Sequence, residues 1–176
     1  MKKIFLIISL LAVLSGCNTF RTPEPIPMVD RVNLDQFMGK WYIVASTPML
    51  LKWDNDAYNA VEMYERGAKR GIKITYQYND EEPNGPLKTV TANAMVDNPG
   101  INTDWEVTYA WPFGTDYRII YLESDYSVAV IANPDRKKVR VLSRQSTINA
   151  PLYSDIILYL QDLGFNVGNI RMISHR

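Results

Sequence analysis

The chain has 176 residues, with 19 basic side chains against 19 acidic ones, 47% apolar residues, one cysteine and one histidine. Such a balance offers no electrostatic footprint for nucleic acid, and a single cysteine excludes an intrachain disulfide and a thiolate metal cluster. The fold must therefore be held by an apolar core, and the length suits one domain.

The chain opens on a leader. Lys2 and Lys3 precede an almost unbroken apolar run, Ile4 to Leu14, too short to span a hydrocarbon core of about 30 Å comfortably. It ends in Leu14-Ser15-Gly16-Cys17, small residues where a signal peptidase acts. This stretch resembles the lipobox of bacterial lipoproteins. The resemblance implies a signal peptide over residues 1–16 and lipid attachment at Cys17, which becomes the mature N-terminus. Loss of Lys2 and Lys3 leaves 17 basic against 19 acidic residues. Residues 17–33 then read as a lipidated spacer, in which Pro23, Pro25 and Pro27 favour extended backbone. Several acyl chains on one terminus anchor stably where a single chain does not. Asn18 resembles an outer-membrane sorting signal, which implies a lipid-anchored protein on the periplasmic face of the outer membrane.

The domain expected over residues 34–176 is a series of short strands. Gly39-Lys40-Trp41-Tyr42 opens the first, with Trp41, Ile43 and Ala45 on one side and Tyr42, Val44 and Ser46 on the other. Tyr58 to Glu65 and Gly71 to Tyr78 follow; in the latter Ile72, Ile74, Tyr76 and Tyr78 share a face against Lys73, Thr75 and Gln77. Next come Leu87 to Val96 and Trp105 to Trp111, the latter with Trp105, Val107, Tyr109 and Trp111 on one face. Tyr117 to Leu122, Tyr126 to Ala132 and Lys138 to Arg144 complete a set of eight. Their short links imply antiparallel neighbours. The period then changes: Leu152, Ile156, Leu160 and Leu163 recur at helical spacing. Asn149 suits the cap, Pro151 the first turn and Gly164 the stop. Ile170 to Ile173 reads as one more short strand. The expected fold is all-β, an eight-stranded antiparallel up-and-down barrel with one C-terminal helix packed outside.

Three motifs carry a resemblance to the lipocalin family. Gly39-Lys40-Trp41-Tyr42 matches its glycine-x-tryptophan at the start of the first strand. Thr115-Asp116-Tyr117 matches its threonine-aspartate-tyrosine triplet between the sixth strand and its predecessor. Arg144 matches its arginine ending the last barrel strand, and the resemblance implies that it lies across the Trp41 ring in a cation–π contact. The stretches Tyr126 to Arg136, Val141 to Arg144 and Gly164-Phe165-Asn166 resemble the bacterial outer-membrane lipoprotein lipocalins and their apolipoprotein D-like relatives. What this implies is storage or transport of fatty acids, lysophospholipids or similar lipids in the cell envelope.

The physical arithmetic agrees. A palmitate-length chain of about sixteen carbons gains on the order of 12 kcal/mol on burial. Immobilisation costs several kcal/mol, leaving room for a micromolar complex at about −8 kcal/mol. The expected ligand-binding walls are Ile74, Tyr76, Trp105, Val107, Tyr109, Tyr117, Ile119 and Tyr121, with Trp53 as a lid residue; a filled core is the alternative for each. Glu62 alternates with Ala60 and Tyr64, and Glu62 and Tyr64 join the candidate site if that face points inward. Val61 and Met63 are also apolar, so the pattern leaves the inward face open. Trp41 is expected to be a floor below the ligand.

Catalysis finds little support. His175 lies beside the C-terminus, where disorder concentrates, and no serine-histidine-aspartate set is in reach. Asp54, Asp56, Glu81 and Glu82 are loop carboxylates. No catalytic residue, cofactor or metal is expected; a homodimer is left open. The competing readings are a lipocalin-fold enzyme using tyrosine hydroxyls and Glu62, and a structural lipoprotein with a filled barrel.

Overall fold

The computed structural model describes residues 24–48, 57–68, 71–110 and 113–176; Cys17, Trp53, Asp54, Asp56 and Trp111 lie outside them. The strands are β1 (Gly39–Ser46), β2 (Ala57–Arg66), β3 (Gly71–Asp80), β4 (Leu87–Val96), β5 (Asp104–Ala110), β6 (Phe113–Leu122), β7 (Val128–Ala132) and β8 (Val139–Ser143). Each pairs antiparallel with its successor. β1 pairs with both β8 and β2, so the sheet closes on itself. Alternation decides what fills it: Ile72, Ile74, Tyr76 and Tyr78 of β3 all point in and are buried, as the period of two requires.

A second apolar layer lies outside the barrel. Helix α2 (Ala150–Asp162) begins at Asn149, whose side-chain oxygen accepts from the Leu152 amide at 3.3 Å, and stops before Gly164 at φ +83°. Its buried stripe, Ile156 and Leu160, packs on Ile120, Val128, Val130 and Val141 of the outer wall. One short helix was not expected. Helix α1 (Leu34–Phe37) is capped by Asn33, which accepts from the Asp35 amide at 3.0 Å, and drives Leu34 and Phe37 into the base of the barrel.

Three placements differ from the sequence reading. Residues 24–33, read as the end of a spacer, run along the barrel: Ile26 and Val32 are buried, and the Val29 amide donates to the Ile119 carbonyl at 3.0 Å. Register shifts in β1 between Ile43 and Ala45, and in β6 between Ile119 and Tyr121, reset the alternation. An extra residue in one strand turns its successors to the other face. Ala45 and Tyr121 consequently sit in the outer layer, where Tyr121 lies 6.3 Å from the Tyr159 ring of α2. Tyr121 is therefore not a cup wall.

The third concerns the C-terminal stretch. Strand β9 (Arg171–Met172) pairs with the upper part of β1, where β1 and β2 have parted company. The Ile173 amide donates to the Val44 carbonyl, and the Asn59 amide donates to the Ser174 carbonyl, each at 2.9 Å. His175 is half-buried rather than loose, 3.0 Å from the Ile43 carbonyl and edge-on to Tyr42. Burial, with the Lys40 charge as a smaller cause, pushes its pKa below the usual histidine value.

Candidate functional site: the barrel interior

The interior has two levels. At the base, Phe37 packs on Trp41, Tyr64 and Trp105 at 5.0, 5.3 and 5.3 Å between ring centres. The Trp41 indole donates to the Phe37 carbonyl at 2.8 Å and that of Trp105 to the Asn102 carbonyl at 2.9 Å. Arg144 closes this floor from below. Its guanidinium lies 3.8 Å from the centre of the Trp41 ring, as expected, and donates to the carbonyls of Gln36, Phe37, Met38 and Lys40. These include carbonyls that the end of α1 leaves unpaired. Gly39 sits at φ +95°, and a Cβ there would meet Arg144 at 3.6 Å, so backbone conformation is what requires the glycine. Trp41 is the floor, and so is Trp105: its packing removes it from the expected wall.

Above the floor lies a polar belt. Glu62 points inward with Tyr64 and is fully buried. Its carboxylate pairs with the Arg140 guanidinium and accepts from the Tyr64 hydroxyl at 2.5 Å. Arg140, itself buried, lies 5.3 Å from the Tyr76 ring centre and 5.6 Å from that of Tyr117. Tyr117 and Tyr109 join hydroxyl to hydroxyl. Burial, with Tyr109 as a smaller cause, pushes the Tyr64 and Tyr117 phenols well above their ordinary pKa. They stay protonated and keep a hydrogen to donate. Ile74, Val107 and Ile119 face the interior around this belt and are buried. Eight of the expected site residues thus meet at one level or flank it, and Arg140 completes them.

Arg140 was not anticipated. The signal was present: Arg140, Leu142 and Arg144 share a face by period two, and an arginine on the Trp41 ring fixes that face as inward. The triplet Thr115-Asp116-Tyr117 needs correction. It lies within β6 towards the mouth, away from Trp41; the Asn133 side chain donates to the Thr115 hydroxyl and, at 2.9 Å, to the Asp116 carbonyl. Thr115 and Asp116 border an open depression of about 350 Å³ with Glu106 and Asp135. The residues at the closed end are Asp125 and Tyr126 between β6 and β7, where the Tyr126 hydroxyl accepts from the Asn33 amide at 2.8 Å.

A closed eight-stranded antiparallel barrel, an arginine-capped tryptophan floor and one helix on the outer wall define a lipocalin-type β-barrel. The lipocalin-like domain model matches residues 32–175, and the chain belongs to that family. The model of a prokaryotic membrane lipoprotein lipid attachment site matches residues 1–18. Outer membrane lipoprotein Blc of Vibrio cholerae is 25% identical over 171 residues, covering 97% of this chain and 96% of the relative. The Escherichia coli protein of the same name is 23% identical, covering 86% of this chain and 84% of the relative. Among solved structures, insecticyanin from Manduca sexta superposes with a TM-score of 0.63 at 14% identity, covering 85% and 84% of the two chains. That likeness speaks for the fold.

Proposed function

We propose that this lipocalin is anchored through acylated Cys17 on the periplasmic face of the outer membrane, and stores or transports fatty acids, lysophospholipids or similar single-chain lipids. The observation that carries the reading is the belt of buried Glu62, Arg140, Tyr64, Tyr76 and Tyr117, joined by the partly buried Tyr109. A barrel filled only for stability has little use for it, because an apolar replacement of a buried ion pair is often neutral or stabilising. A guanidinium ringed by phenols suits a head group with acidic or hydroxyl oxygens, and the apolar interior suits its chain. The attachment-site match and the Blc relatives support the anchor and the envelope location.

The reading is of a carrier rather than an enzyme. Both oxygens of Glu62 already have partners, in Arg140 and Tyr64, which leaves it a poor general base. The test combines lipid extraction from the natively purified protein with titration of a fluorescent fatty acid. Co-purifying single-chain lipid and saturable micromolar binding are expected; absence of both sinks the proposal. Turnover of a lipid that stops in Glu62→Gln would replace it with the enzyme reading.

A further inference from the structure

The path of residues 24–33 fixes where the tether leaves the fold. At the base, the Val32 amide donates to the Ile101 carbonyl at 2.7 Å. Midway up the wall, the Val29 amide meets Ile119, and Ile26 is buried beneath α2. At the top, the Glu24 carbonyl accepts from the Arg136 guanidinium, whose Nε donates to the Leu163 carbonyl at 2.6 Å. Arg136 belongs to the turn between β7 and β8, on the rim of the mouth. The chain therefore climbs the barrel from floor to mouth as it is traced back towards Cys17.

From this geometry we infer that the mouth of the barrel rests on the bilayer that holds the acyl chains of Cys17, tilted onto the β7–β8 turn. The inference rests on the reading of Cys17 as the acylated residue. Seven peptide units separate Cys17 from Glu24, a reach of about 25 Å when fully extended. An eight-residue strand such as β1 is itself about 26 Å long before tilt. A tether starting at the mouth would spend nearly all its reach returning to the floor, so an orientation with the floor on the membrane is strained and one with the mouth on it is not.

Charge selects the tilt. The turn beside the tether carries Arg136, Lys137 and Lys138 against Asp135, with Lys137 3.4 Å from Asp135. The turn between β3 and β4 carries Asp80, Glu81 and Glu82, of which Asp80 is 3.7 Å from Lys88. In the order β2-β3-β4-β5-β6-β7-β8-β1 these two turns stand four strands apart, on opposite sides of the rim. A bilayer with anionic lipid attracts the basic turn and repels the acidic one. The occupant of this face is therefore an anionic membrane surface, and the acidic lip is the raised side through which solvent meets the mouth.

The test uses the full acylated chain in vesicles of phosphatidylcholine with about 30% phosphatidylglycerol, enough anionic lipid for a surface potential to act. Single labels are placed by Lys137→Cys at the basic turn, Glu82→Cys at the acidic lip and Ser124→Cys in the floor turn between β6 and β7, and are quenched by head-group spin-labelled lipid. Quenching is expected in the order position 137, then 82, then 124. Lys137→Glu, read from a label at position 82, should remove the difference between anionic and neutral vesicles. Strongest quenching at 124, or equal quenching at all three, overturns the orientation while leaving the anchor intact. Mass spectrometry showing no acyl group on Cys17 overturns the anchor, and the orientation with it.

Discussion

Arg140 and Arg144 stand on the same inward face of one strand and its exit, four positions apart, in opposite circumstances. Arg144 meets neutral partners, the Trp41 ring and four carbonyls near α1, and solvent reaches part of it. Arg140 is buried against a buried carboxylate. The first seals an end: every group it touches would otherwise be an open carbonyl or an exposed ring. The second adds little to folding, because the desolvation of two charges offsets most of their attraction. A charge kept at that cost inside a barrel points to a ligand, whereas a charge spread over carbonyls at its edge points to closure.

The sharpest way to break the contrast is to orphan one partner. Glu62→Ala should cost about 3–5 kcal/mol by leaving Arg140 buried and unpaired, while the double change Glu62→Leu with Arg140→Met should fall within about 1 kcal/mol of the parent or above it. Denaturant unfolding measures both, and the double variant should also bind fluorescent fatty acid more weakly. Equal losses in the two would make the pair a fold determinant like the floor. Arg144→Ala comes next, at about 2–3 kcal/mol from lost charged hydrogen bonds and the ring contact; its ligand affinity should not change. Gly39→Ala should cost about 1–2 kcal/mol, since the new side chain must hold a positive φ, again without effect on affinity.

The smallest effect expected is pH-dependent. Because burial lowers the His175 pKa in the fold, the unfolded chain takes up the proton first, so stability is complete above about pH 6.5 and declines as pH falls below it. Amide exchange should report this locally. Protection at Ile173 and Asn59, whose amides bond across this seam, should fall on acidification while protection at Trp41 holds. In His175→Gln that local dependence should vanish.

Much of this fold is legible in the amino-acid sequence. The alternation in β3 named the inward residues because that strand keeps its register with β4 throughout, and in β5 it named Trp105 and Val107, which precede the register shift at Tyr109. It misassigned Tyr121 because a bulge is one residue of backbone irregularity with no side-chain signature. Four residues of α1 are too few to display a helical period, although Asn33 was a usable cap signal. Thr115-Asp116-Tyr117 shows the danger of a short motif. The pair Asp-Tyr recurs nine residues on, at Asp125-Tyr126, and only the pairing of β6 with β7 tells which copy lies at the closed end. Glu62 could not be oriented from β2 alone, since both faces of that strand are apolar. Its partner decides the matter, and that partner is 78 positions away.

The seam between β1 and β2 has a kinetic consequence. β1 finds β2 soon after both exist, but its other edge waits for β8, through pairs such as Ile43 with Leu142, and the upper part of its β2 edge waits for β9, through Ser46 with Arg171. Contacts of such sequence separation are slow to form. Until they do, the chain is an open curved sheet with β1 as an unpaired border, the kind of border on which another copy can template. Folding and misassembly therefore compete for the same strand, and the race is decided by the segment from β8 to His175.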